Sequence, residues 1–138
     1  MTPTSGAAGA DAGNRTRTLG HPAPHEIRVE SVLHALADPV RLRIVRQLAD
    51  ASDELNCACF ALPVAKSTST HHFRVLRESG VIRQVYRGTA KLSVLRRDDL
   101  DTLFPGLLDS VLLAAGLQAV RLEAEPRGGG GTAGPAGR

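Results

Sequence analysis

Lys66-Ser-Thr-Ser-Thr-His-His-Phe-Arg-Val-Leu-Arg-Glu-Ser-Gly80 is the stretch that decides the fold of this 138-residue chain. Placed on a helix that begins after Ser67, it sets Phe73 and Leu76 one turn apart on one face, with Ser69 a turn above Phe73. The opposite side then carries Thr70, His71, Arg74 and Arg77. Ser67 is the expected N-cap, because its hydroxyl can accept a backbone N–H left without a helical partner. Gly80 suits the left-handed residue that ends a helix. A short helix with small hydroxyls at its start can approach a DNA backbone closely and admit side chains to base edges. An amphipathic surface helix with a basic face would show the same pattern, so its neighbours must decide.

Downstream, the period changes from helical to extended. Val81-Ile82-Arg-Gln-Val85-Tyr86 and Ala90-Lys-Leu92-Ser-Val94-Leu95 read as two strands around Arg87-Gly88-Thr89, with Gly88 supplying the positive φ of a tight turn. Upstream, Val29, Val32, Leu33 and Leu36 predict a helix from about Glu26 to Ala37. Asp38-Pro39 ends it and starts another, to about Ala49, with Val40, Ile44, Val45 and Leu48 inward and Arg41, Arg43 and Arg46 largely outward. A third, shorter helix is expected from Ser52 or Asp53 to Leu62, stopped by Pro63 and leading through a turn to the opening stretch. After the strands, Asp98 starts a helix that Pro105-Gly106 breaks and Leu107–Leu117 resumes. Leu107, Leu108, Val111 and Leu112 make that last piece more apolar than a solvent-facing terminal helix needs. With Val29 and Val32 of the first helix, they form an expected dimer interface, the alternative being packing within one domain.

Charge is segregated along the chain. Residues 26–65 carry four Arg against six acids, and residues 98–125 carry Arg121 against six acids. Between them, Lys66, Arg74, Arg77, Arg83, Arg87, Lys91, Arg96 and Arg97 face Glu78 alone, as expected of a polyanion-binding surface. Aromatic residues are only 3%, so the core must be aliphatic. Residues 1–22 and the Gly-rich segment 123–138 read as disordered tails around one domain over 23–122. No apolar run reaches membrane-spanning length and no signal segment opens the chain, so no membrane is expected and the cytoplasm is.

The order of elements is that of a mainly α fold with a small β-hairpin, a winged helix-turn-helix. Leu33-His-Ala-Leu-Ala-Asp-Pro-Val-Arg-Leu-Arg-Ile-Val-Arg-Gln-Leu48 resembles the first two helices of the arsenic-repressor-type (ArsR) bacterial transcriptional regulators. Ser67–Gly80 resembles their recognition helix and Ile82–Leu95 their wing, so the likeness spans roughly Ile27 to Leu113. The resemblance implies a homodimeric repressor that binds a palindromic double-stranded DNA operator, dimerises through its first and last helices, and releases DNA on sensing a metal, a metalloid or an oxidant. The implied DNA contacts are Lys66, Ser67, Thr68, Thr70, His71, Arg74 and Arg77 of the helix, and Arg83, Arg87 and Lys91 of the wing.

Cys57-x-Cys59 lies where the resemblance places a Cys-x-Cys sensor, although Asn56 interrupts the usual order. A soft metal ion held by Cys57 and Cys59, redox chemistry of one thiol, and simple burial of two small residues all stay open. The family's other site needs His on the last helix, which has Asp99, Asp101 and Asp109 but no His. His71 is read as a DNA contact, while His72 is read as packing or hydrogen-bonding beneath the helix, and His34 as structural. Two further classes compete with a regulator: a winged helix that binds an acidic protein, and a thiol enzyme. The second lacks both a placed base and a Cys-x-x-Cys motif, so no enzyme is expected.

Overall fold

The computed structural model describes residues 16–51, 55–56 and 64–125. Its elements are β1 (Thr16–Thr18), α1 (Val29–Leu36), α2 (Pro39–Asp50), β2 (Leu55–Asn56), α3 (Lys66–Glu78), β3 (Ile82–Arg87), β4 (Ala90–Leu95), α4 (Arg97–Leu103) and α5 (Leu107–Ala124), with one 3₁₀ turn at Pro24–Glu26. The core is aliphatic with one aromatic ring. Val32, Ala35 and Leu36 of α1, Ile44, Val45 and Leu48 of α2, and Phe73 and Leu76 of α3 meet Val81, Ile82, Leu100 and Leu108.

Asp38 caps α2 as its sequence predicts, its carboxylate accepting the Val40 and Arg41 backbone N–H groups at 2.9 and 3.0 Å, with Pro39 in the first turn. α1 starts later than Glu26. Ile27 leaves the helical path to bury its side chain, and the Glu26 carboxylate instead accepts the Ala23 N–H. The hairpin is as expected, with Arg87 opposite Ala90 and Gly88 at φ 65°.

Two short strands extend that hairpin into an antiparallel sheet of order β1-β3-β4-β2. Leu55 and Asn56 are extended rather than helical, because they pair with Ser93 and Leu92 along the outer edge of β4. The rest of the helix expected there, with Cys57 and Cys59, lies outside the described residues. At the other edge, residues 16–22 are ordered, in contrast to the expected tail. Thr16–Thr18 pair with Val85–Arg87, the Gln84 N–H donates to His21 Nε2 at 2.9 Å, and buried Arg96 donates to the Pro22 carbonyl at 2.9 Å. Backbone pairing holds this segment without an apolar stripe of its own.

Pro105-Gly106 breaks the C-terminal region, Gly106 adopting φ 83°, and α4 and α5 meet at a 113° bend. α5 runs to Ala124, past the expected end at Leu117. Val32 and Leu108, expected at a dimer interface, are 1% and 2% exposed within the chain's own core: Val32 shares the buried stripe of α1 and Leu108 docks the first turn of α5 against it. Leu107, Val111 and Leu112 are half-buried against the same core. Exposed apolar side chains lie elsewhere, at Val29 and Leu33 on α1 and at Leu113, Leu117, Val120 and Leu122 on α5.

Candidate nucleic-acid interface

α3 begins at Lys66, with Ala65 as its extended N-cap and the Ala65 carbonyl accepting the Ser69 N–H at 2.9 Å. Ser67 is therefore inside the first turn and is not the cap. At 100° per residue, Ser67, Thr70, His71, Arg74 and Glu78 share one stripe, and all five are exposed. His72, Phe73 and Leu76 are buried on the other side. Lys66 and Thr68 are exposed at the helix start, and the Thr70 hydroxyl donates to the Lys66 carbonyl at 3.0 Å, leaving its oxygen free to accept. Lys66, Arg74 and Arg83 make no ion pair among the described residues, so their charge is available to a ligand.

Three devices fix the orientation of this helix. The first is Arg41, which the structure turns inward: it is 8% exposed, contrary to the outward reading. Its Nε donates to the Ala35 carbonyl at 2.7 Å, and its Nη2 donates at 3.2 Å to the His34 carbonyl, which also accepts the Ala37 N–H. Its Nη1 lies 3.1 Å from His72 Nδ1. Arginine has no acceptor, so in this contact Nδ1 is the accepting atom. One guanidinium thus joins α1, α2 and α3. Beside it, burial alone would raise the Asp38 carboxyl, but the N–H of Arg41 chief among its partners holds it below the usual carboxylate range.

The second device ends the helix. Gly80, at φ 89°, donates to the Arg77 carbonyl at 3.1 Å, and Val81 donates to the Leu76 carbonyl at 3.0 Å, the paired bonds of a Schellman motif. A Cβ on Gly80 would also stand 2.6 Å from the Ile27 side chain, so glycine is required there twice over.

The third device ties α3 to the wing. Arg77, read from sequence as a DNA contact, is half-buried and donates through Nη1 to Gln84 Oε1 at 2.9 Å. Gln84 passes the connection on, its Nε2 donating to Ser93 Oγ at 3.0 Å, with both residues fully buried. Arg77 therefore positions the wing against the helix. On the wing itself Arg83 and Arg87 are exposed, and half-buried Lys91 holds its Nζ 5.6 Å from the centre of the Tyr86 ring. The basic third of the sequence is smaller in space than along the chain. Arg96 is buried against Asp99 at 2.9 Å, and Arg97 is bound to Asp109 at 2.8 Å.

Sequence reasoning missed Arg41, Gln84, Ser93 and His21. Arg41 falls in register with Ile44, Val45 and Leu48, and that periodicity is the signal its charge obscured. Gln84 alternates with Ile82 along β3 and so shares its inward face. No group of three or more His, Cys, Asp or Glu that could hold a metal ion occurs among the described residues, and Cys57 and Cys59 lie outside them. No single helix among the described residues is long and apolar enough to cross a membrane; α4 and α5 reach that length and composition only as a pair, across their bend.

A family model described as a helix-turn-helix domain matches residues 36–85, from the end of α1 into β3. The HTH-type transcriptional regulator YceK of Bacillus subtilis (strain 168) is 33% identical over 88 residues, which cover 62% of this chain and 87% of that protein. A crystal structure of an ArsR family transcriptional regulator aligns with a TM-score of 0.47 and 18% identity, over 78% of this chain and 100% of the other. The chain belongs to the helix-turn-helix transcriptional regulators. It is a winged member of that family, and its motifs at Leu33–Leu48 and Ser67–Gly80 are the ones that resemble the ArsR type.

Proposed function

We propose that this protein is an ArsR-type repressor that binds a palindromic operator as a homodimer in the cytoplasm. The reading is carried by the outer stripe of α3, where Ser67, Thr70, His71 and Arg74 stand exposed while His72, Phe73 and Leu76 anchor the inner side. Such a stripe fits the major groove, with Thr70, His71 and Arg74 against base edges and Lys66, Ser67 and Thr68 near phosphates. Arg83, Arg87 and Lys91 of the wing take flanking phosphates. The homodimer rests on the exposed side chains Val29 and Leu33 of α1 and Leu113, Leu117 and Val120 of α5. Cys57 and Cys59 are proposed as thiol or soft-metal sensors, tested by comparing operator release in wild type and the double serine variant after peroxide or zinc.

The deciding experiment is a mobility shift on the protein's own promoter with wild type and Arg74→Ala. A base contact by Arg74 discriminates by about 1–3 kcal/mol, so the variant loses roughly tenfold or more on the operator and little on random DNA. Arg87→Ala weakens both DNAs alike and reduces the salt slope by about 0.9. A wild type that retains no DNA but captures acidic proteins would replace this reading with that of a protein-binding winged helix.

A further inference from the structure

The face of α5 opposite its exposed stripe borders a groove. Leu113, Leu117 and Val120 gather on one side of the helix; Ala115, Ala119 and Leu122 gather on the other, facing Leu42, Arg43 and Arg46 of α2. The space between is about 320 Å³, at the lower end of the range for small-molecule sites. The two alanines leave the floor open, and leucines line its flanks. Arg43 is exposed and Arg46 half-buried, and neither forms a hydrogen bond or ion pair among the described residues. Arg46 also borders a second groove with Asp50 and Asp109, but no carboxylate pairs with it among the described residues, and an anion in the groove would supply that contact.

We propose that this groove binds a small anionic amphiphile, an apolar body ending in one carboxylate-type head, as the effector of the regulator. The head lies against Arg46 and Arg43, and the body lies over Ala115 and Ala119. The effector role rests on the DNA-binding reading above; the binding site does not. Because the dimerisation surface proposed above is on the other side of α5, the groove stays open in the dimer. Its link to DNA is short. Leu42 and Arg43 directly follow Arg41, whose guanidinium holds the end of α1 and reaches His72 of the recognition helix. A ligand that parts α2 from α5 shifts the turn from which Arg41 extends, and with it the seat of α3. Ligand and DNA then compete by preferring different positions of α2, which is the differential affinity any such coupling needs.

The test uses octanoate as probe, with octanol and octyltrimethylammonium as uncharged and oppositely charged controls. Calorimetry without DNA should show octanoate binding at least roughly tenfold more tightly than either control, since a charge-assisted contact is worth about that much. Arg46→Gln should lose about the same factor, and Ala119→Phe should abolish binding, with both variants keeping wild-type melting and promoter affinity. Octanoate should weaken promoter binding by wild type and leave Ala119→Phe unaffected. Absence of octanoate binding, or equal binding of octanol and of Arg46→Gln, overturns the site. Binding without any change in promoter affinity overturns the effector role. If Ala119→Phe instead sediments as a monomer where wild type is a dimer, the groove is a contact between copies and the proposal falls. If wild type ignores its promoter altogether, the regulator reading and the effector role fail together, and calorimetry still decides the site.

Discussion

α3 and α5 are both long helices with apolar residues at helical spacing, yet the monomer completes only one of them. α3 buries His72, Phe73 and Leu76 and exposes polar or charged side chains opposite. α5 is longer, but only Leu108 and Ala115 are buried along it, while Leu113, Leu117 and Val120 are each more than 60% exposed. The contrast separates two uses of amphipathicity. In α3 the apolar side fixes a polar side in space; in α5 the start of the helix packs on the core, while the stripe of Leu113, Leu117 and Val120 stays exposed in the monomer.

The sharpest way to break this comparison is a matched pair of truncations. Leu76→Ala, at a fully buried site, should cost about 2–5 kcal/mol in urea unfolding. Leu117→Ala should stay within about 0.5 kcal/mol of wild type per monomer while weakening self-association in sedimentation. Equal losses at the two positions would mean that α5 is already part of the monomer core.

A smaller effect is expected where α3 meets the wing. Gly80→Ala must hold φ 89° with a side chain and press on Ile27, at a cost of about 1–3 kcal/mol. Thermal melting should register it, and a neutral result would show that Ile27 can move aside.

The smallest effect concerns the segment ahead of α1, which is held by polar contacts where α3 is held by aliphatic ones. Burial, with Arg83 and Arg96 nearby, holds His21 below its ordinary pKa of 6.5. Neutral Nε2 accepts the Gln84 N–H, so the contact is fully present above pH 6.5 and is lost as pH falls through the lowered value. Hydrogen exchange at Gln84 should accelerate on acidification, beyond its intrinsic pH dependence, in wild type and not in His21→Gln. The same pH response in both proteins would assign it to another group.

What could be read in advance follows from how local each signal is. The cap at Asp38, the stop at Gly80, the turn at Gly88 and the break at Gly106 are written in one or two residues each, and all four hold. Leu55-Asn56 and Thr16–Thr18 become strands only because distant chain offers them an edge, which no local period records. Ser67 fails as a cap because the helix takes its first turn from Ala65, and nothing in the hydroxyl pattern opposes that. At the interface, the outer stripe of α3 was legible by spacing. Arg77 was not, since its partner Gln84 lies across the turn into the wing. Val32 and Leu108 misled because apolar periodicity marks a buried face without saying whether the same chain covers it.

The two strands that escaped notice also determine how the protein behaves in a crowd. A hairpin alone would present two rows of unpaired backbone groups, each an invitation for a neighbouring molecule to add a strand. β1 and the Leu19 and His21 contacts close the row along β3 from Gln84 to Arg87, and β2 closes part of the row along β4. Trimming the chain back to Gly20 would reopen the first of these rows from Val85 to Arg87, and the expected outcome is a self-adhesive protein, one whose copies add strands to each other where the longer chain keeps them apart.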